Sequence, residues 1–344
     1  MDSKTTEFDP ERLHAIMAGS GNPYGVLTSL RKRILRVLHD GAALDELPEA
    51  FGLSQDEVRK ELTPLADASL LHLDGSDCHP MFFIADAAET DRVFDHAGAV
   101  GKELGKTILR QWDDLEALRD RLEIGDAWGF RALSFFIVGD LILDVGLLDA
   151  LARDRALMPA APRRPSREDP EARYYFWMID GDWSSLGRYG QRSRRLPWPN
   201  WYLTTYGEYR IDGAPNEHRE LFEAEALALV EDGRAVTPDR LAELVGAPLI
   251  GEGDFRLWTR GTRAAVEGLV AVYHRHEASI RGLYSDLRAS AYAPHGFGEF
   301  FCWYDHVAYA GAIEFLAEAG VMTIPEDRYA AAIQYDDGEG AFGP

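Results

Sequence analysis

Lysine is nearly missing from this chain: positions 4, 32, 60, 102 and 106 hold all of it in 344 residues. Basic residues number 36 against 58 acidic ones, for a formal charge of −22. That balance excludes broad affinity for nucleic acid or for an anionic membrane surface, both of which need clustered cations. Cysteine is equally scarce. Cys78 and Cys302 lie outside any CxxC spacing, so a disulfide framework is not expected and a reducing cytoplasm is the expected compartment. A long apolar run is missing too. The most apolar stretch, residues 133–151, contains Asp140, Asp144 and Asp149, and no bilayer span is expected there. Residues 1–17 have no apolar segment of the signal-peptide kind. GxGxxG after a strand, the Walker loop, GxSxG and HExxH do not occur, so an enzymatic reading has no recognised catalytic constellation behind it.

What is present begins with residues 27–85. Leu30, Ile34, Leu35 and Leu38 recur at helical spacing, and Gly41 stops that helix. Leu44, Leu47, Ala50 and Phe51 mark a short second helix, followed by the turn Gly52-Leu53-Ser54. Ser54 three residues before Glu57 is a capping-box start for a third helix lined by Val58, Leu62 and Leu65. Pro64 predicts a bend in that helix, or its end, near Thr63. Residues 70–73 and 81–84 read as two strands around Asp74-Gly75-Ser76-Asp77. Three short helices and a two-stranded ribbon resemble the winged helix-turn-helix domain of MarR/ArsR-like transcriptional regulators. The resemblance covers residues 27–85 alone. It implies a third helix lying in the major groove of double-stranded DNA, with Gln55, Arg59 and Lys60 on its outer face. Arg31, Lys32, Arg33 and Arg36 form the best basic patch of the segment, one that a dimer could concentrate on one edge. Residues 28–88 nonetheless carry six basic and eleven acidic residues, a net −5, and the ribbon turn has no Lys or Arg.

At 344 residues the chain is expected to hold two or three domains, and 46 % apolar content is ample for their cores. The fold class expected is α+β, predominantly helical. A polar arm (1–26), with a short helix over 10–17, precedes the winged-helix domain (27–88). A helical connector or dimerisation region follows (89–157), with a stripe from Val93 through Leu104 to Leu118 over 89–122 and a second helix over 131–155. A linker with four prolines (158–172) leads into a C-terminal mixed domain (173–333). There residues 174–179, 201–206 and 208–211 predict a small antiparallel, aromatic-rich sheet, and helices are expected near 262–289 and 297–319. Residues 221–246 echo 30–52, either as a second helix-turn-helix-like unit or by chance. An acidic tail (334–344) is expected to fray.

Residues 153–195 hold ten arginines against six acids, a local +4 in an acidic chain. Arg188, Arg192, Arg194 and Arg195, with Trp198, Trp201 and Tyr202, could hold an anionic or aromatic ligand through guanidinium forks and ring stacking. The competing reading pairs these arginines with surplus acids of neighbouring helices. Asp140 and Asp144, four residues apart in an apolar run, need a metal, arginine partners or a raised pKa if buried, and nothing if that face meets water. His274, Glu277, Glu299 and His306 form a weak candidate metal set on the last two helices. No cofactor is implied. These features lead to a cytoplasmic, homodimeric, ligand-responsive winged-helix transcriptional regulator that senses a small anionic or aromatic molecule. The alternative is an enzyme of small-molecule metabolism that uses the winged-helix domain for dimerisation or peptide binding.

Overall fold

In the computed structural model, which describes residues 12–19, 21–124, 128–155, 157–165, 169–211 and 214–336, the chain is a mixed α+β protein with several small sheets. The first element is a strand, β1 (Leu13–Gly19), and not the helix expected over 10–17. It pairs antiparallel with residues 174–180, from Leu13↔Asp180 to Gly19↔Tyr174. A helix of about two turns is marginal alone, whereas seven backbone pairings are not. At Gly19 φ is +124° and a Cβ would lie 2.5 Å from the Arg173 carbonyl, so glycine is required where the strand ends.

Helix α1 (Ser29–His39) starts at Thr28, whose Oγ1 accepts the Arg31 N–H. Helix α2 (Leu47–Phe51) stops at Gly52, and α3 (Gln55–Asp67) begins with the expected Ser54–Glu57 capping box. Helix α3 runs on through Pro64. Complete burial of Leu62 and Leu65 offsets the roughly 3 kcal/mol that an internal proline costs. The hairpin is tighter than its sequence implied. Strand β2 (Leu71–Asp74) pairs with β3 (Asp77–Pro80) around Gly75-Ser76, with Gly75 at φ +61°. Phe83 and Ile84, expected in the return strand, lie instead in β4 (Phe83–Ala85), which belongs to another sheet.

The helical run over 89–122 divides into α4 (Ala87–Leu109) and α5 (Trp112–Arg119). Helix α6 (Phe130–Val138) continues through a π-helical turn, Gly139–Asp144, into α7 (Val145–Asp154). Strand β5 (Tyr174–Asp180) is buried along its whole length between β1, antiparallel, and β4, parallel, which accounts for its unbroken aromatic and apolar run. Next come β6 (Tyr189–Arg195), β7 (Trp201–Glu208), the short pair β8 (Arg210–Ile211) and β9 (Ala214–Pro215), α8 (Glu217–Glu231) and α9 (Pro238–Val245). Strand β10 (Leu249–Ile250), α10 (Glu252–Gly261), α11 (Arg263–Ser285), α12 (Gly296–Glu318) and β11 (Tyr329–Tyr335) follow. A second sheet has the order β10-β11-β7-β6, with β11 antiparallel to β7 and parallel to β10. The single aromatic sheet expected from 174–179, 201–206 and 208–211 is therefore divided: β5 and β7 lie in different sheets, and β8 pairs with β9. Gln334, assigned from the sequence to the tail, is buried within β11, while residues 337–344 lie outside the described residues.

Two compact units divide the chain. The first comprises Met1–Asp95, Leu157–Leu186 and Glu277–Tyr304; the second comprises His96–Ala156, Gly187–His276 and Asp305–Pro344. In the first, Ile34, Leu35, Leu47, Val58 and Leu62 of α1–α3 share one core with Phe82, Ile84, Phe176 and Met178. In the second, Leu203 and Ile333 of the sheet pack with Ala226 of α8 and Leu241 of α9. There α4 and α12 also meet backbone to backbone: a Cβ at Gly101 would stand 2.3 Å from the Ala308 carbonyl oxygen. Gly101→Ala is thus expected to cost about 1–3 kcal/mol, read as a fall of several degrees in Tm. An unchanged Tm would show that the two helices part freely.

Candidate functional site

In the first unit an open cleft of about 490 Å³ is lined by Asp86, Glu89, Arg92, Asp286 and Arg288, among others. Its lining comes from the start of α4 and the segment after α11, and Glu89 of that lining reaches back to the end of α1. His39, the last residue of α1, is only 1 % exposed. Its Nδ1 lies 2.7 Å from the Tyr292 hydroxyl. Its Nε2 lies 3.3 Å from Glu89 Oε2, near enough for an ion pair yet without hydrogen-bond alignment. Glu89 and Asp86 cap α4 reciprocally: the Glu89 N–H donates to Asp86 Oδ1 (2.8 Å) and the Asp86 N–H to Glu89 Oε2 (3.1 Å). Glu89 Oε1 accepts the Arg288 N–H at 2.6 Å. Burial alone would raise the pKa of Glu89, but the His39 ring and the N–H groups of Arg288 and Asp86 outweigh it and hold the carboxyl below its ordinary value. Asp40, next to His39, gives its Oδ1 to Arg36 and, at 3.5 Å, to Arg288. The floor is a network of histidine, carboxylates and guanidiniums beside open space.

A second polar group in this unit is closed. Glu299 lies 2.6 Å from Arg164, and both are buried. Arg164 comes from the Pro/Arg segment, which folds back so that its Nη1 donates to the Tyr174 carbonyl (2.9 Å) and its Nη2 to that of Met81 (3.0 Å). Burial lifts Glu299 to about 7 even against Arg164 and the N–H groups of Phe83 and Phe176.

In the second unit the π-helical turn directs Asp140 and Asp144 inward, and both are buried. Gly139 lets Tyr206 approach, since a Cβ there would stand 2.4 Å from the ring. Burial and then the Asp144 charge push Asp140 well above the ordinary carboxyl range, and burial lifts Asp144 to about 7. Asp144 meets the Tyr309 hydroxyl at 3.4 Å and Asp140 the Gln191 amide at 3.4 Å. Asp305, hydrogen-bonded by Tyr273, is also raised by burial. Nearby, the wholly buried Arg219 donates to Thr205 Oγ1 and to the carbonyls of Thr205, Gly207 and Gly190 at 2.8–3.1 Å, and lies 3.4 Å from Glu223. Asp140 and Asp144 thus follow the raised-pKa course open to buried carboxylates.

Of the arginines of the sequence-predicted ligand site, Arg188, just before β6, and Arg192 and Arg194, on it, face acids. Arg188 pairs with Glu208 and Glu314, both at 3.0 Å, Arg192 approaches Glu220 and Glu223, and Arg194 approaches Glu223. Arg195 is exposed; Trp198 donates to the Val236 carbonyl, Trp201 meets Tyr335 edge-on, and Tyr202 is half-buried. Each member of the weak metal set has a partner of its own. His274 pairs with Asp154, Glu277 with Arg281 and Glu299 with Arg164, while the His306 ring lies against Tyr309. Of the DNA candidates, Arg31 is held by Glu61 (2.9 Å), Lys32 donates to the Leu13 carbonyl (2.8 Å) and Arg33 lies over the Phe51 ring. Gln55, Arg59 and Lys60 are exposed on α3. The sequence reading overlooked His39, Glu89, Tyr292 and Arg219. One signal was available: His39 falls one residue past Leu38 and four past Leu35, on the inner face of α1. No protein-family model, no curated protein and no solved structure matches this chain.

Proposed function

We propose that the protein is a ligand-responsive regulator in which residues 27–85 act as a winged helix-turn-helix module on double-stranded DNA, as a homodimer, and the cleft above His39 receives the ligand. The position of His39 carries this reading. It ends the helix whose Ile34 and Leu35 share a core with Val58 and Leu62 of α3, and its buried ring meets Glu89 at the cleft floor. A ligand that moves Glu89 or His39 bears directly on the orientation of α1 against α3. The cleft is preferred to the Arg188–Tyr202 region as the sensing site, because Arg188, Arg192 and Arg194 face glutamates.

With Arg31 and Lys32 engaged inside the fold, specific DNA contacts fall to Gln55, Arg59 and Lys60. A gel shift at low salt on the gene's own upstream region tests this. Retention by the wild type and its loss in the Arg59→Glu, Lys60→Glu double variant is the expected outcome, with a salt slope lowered accordingly. Equal retention of both proteins, or of neither, would refute the DNA half. A second reading, an enzyme acting through Asp140 and Asp144, is favoured by their raised pKa values and opposed by the burial that produces them.

A further inference from the structure

We infer that the floor of this cleft is a binding site for a first-row divalent cation, Mn2+ or Zn2+, held by His39 Nε2 and one carboxylate oxygen each from Asp40 and Asp86. The inference takes up the cleft of the proposed regulator and names what enters it. His39, Asp40 and Asp86 each present a ligand atom within 4.8 Å of the other two. Donors bound to one tetrahedral ion at about 2.1 Å stand about 3.4 Å apart, so side-chain rotation must draw the three in by up to about 1.4 Å.

The surrounding bonds leave the right atoms available. Arg36 and Arg288 both use Asp40 Oδ1, and the Glu89 N–H uses Asp86 Oδ1, so each carboxylate keeps a second oxygen. The imidazole is a separate pointer to a ligand. It is 1 % exposed, its Nδ1 is satisfied by Tyr292, and its buried Nε2 has no hydrogen bond while facing the acidic side. On cation binding Tyr292 would be the outer partner that fixes the histidine, its hydroxyl accepting the Nδ1 proton while Nε2 gives up its contact with Glu89 to the ion. Glu89 Oε2 stands ready as a further oxygen, and the open cleft admits water to complete the coordination. One imidazole nitrogen with carboxylate oxygens suits Mn2+ and Zn2+ better than Ca2+, which takes oxygen alone. Charge favours a cation as well: Asp40, Asp86, Glu89 and Asp286 outnumber Arg92 and Arg288, and Arg36 is shared between Asp40 and Asp180.

Equilibrium dialysis of the whole chain against MnCl2 and ZnCl2, with no nucleic acid present, tests the inference. One equivalent should bind saturably, with nitrogen coupling in the Mn2+ electron spin echo. Asp86→Asn preserves the cap for the Glu89 N–H, so it should leave Tm unchanged while weakening binding at least tenfold. Asp77→Asn removes the carboxylate that faces His72 and His79 on the β2–β3 hairpin and should leave binding unaltered. Absence of saturable binding, equal affinity of Asp86→Asn, or loss in Asp77→Asn would each overturn the site. Cation binding by a protein that retains no DNA would refute the regulator alone. DNA retention without cation binding would refute this site alone.

Discussion

Unfolding at pH 8.5 is expected to need markedly less urea than unfolding at pH 5. The folded state holds Asp144 and Glu299 at about 7, against 3.8 and 4.5 for ordinary groups, and burial raises Asp140 and Asp305 as well. Between the ordinary and the raised value the folded chain therefore binds more protons than the unfolded chain. Stability is fully present below about 4 and is lost as pH rises through 7. A buried carboxyl displaced that far carries a penalty of the order of 4 kcal/mol once ionised. Glu89 and Glu103, whose values are lowered, act in the opposite direction. General repulsion in a chain of −22 acts in the same direction as the raised groups, so variants must separate the two causes. Asp144→Asn should flatten the profile and raise stability at pH 8.5, whereas Asp56→Asn, on the exposed face of α3, should leave the slope alone. A wild-type profile that is flat from pH 5 to 8.5, or equal slopes in wild type and Asp144→Asn, would refute the assignment.

Arg219→Met should cost about 3–5 kcal/mol, the range for breaking a buried, hydrogen-bonded charge pair. Methionine fills much of the volume but leaves three carbonyls on β6 and β7 without that donor, and the buried Glu223 loses its nearest cation. Arg219→Lys should recover less than half of the loss, because one ammonium cannot reproduce a planar fork with four acceptors. Urea titration at constant pH gives the number. A loss below about 1 kcal/mol would show that the guanidinium only fills space.

Much of the local structure was legible in the sequence. The Leu/Ile spacing of α1, the Ser54–Glu57 cap and the aromatic run of β5 each state their element directly, because the cause lies within a few residues. Partners of strands were not legible. Leu13–Gly19 shows no clean alternation, and its strand state comes from β5, some 160 residues away. Tyr329–Tyr335 is alanine-rich, and pairing with β7 on one side and β10 on the other overrides the helical preference of alanine. The same limit applied to the sites. Asp140 and Asp144 stood out as charges in an apolar run, yet whether they faced water depended on a π-helical turn with no local signature. The clustered arginines were visible, but the glutamates opposite them come from β7, α8 and α12. Arg219 in EHRELFEAE looked like any exposed helical residue, and His39 at a helix end looked like a cap.

The placement of β11 between β10 and β7 has a consequence for synthesis. Proteins made on the ribosome tend to fold from the N-terminal side as each domain emerges. Here neither unit is a continuous stretch: the first needs residues up to Tyr304, and the second sheet lacks an inner strand until Tyr335 has been made. Until then β7 presents an open edge, rich in Tyr and Thr, to any other nascent chain. A chain interrupted before residue 329 would keep that edge exposed, so a protein of this design depends on finishing translation promptly or on a chaperone that covers β7 in the interval.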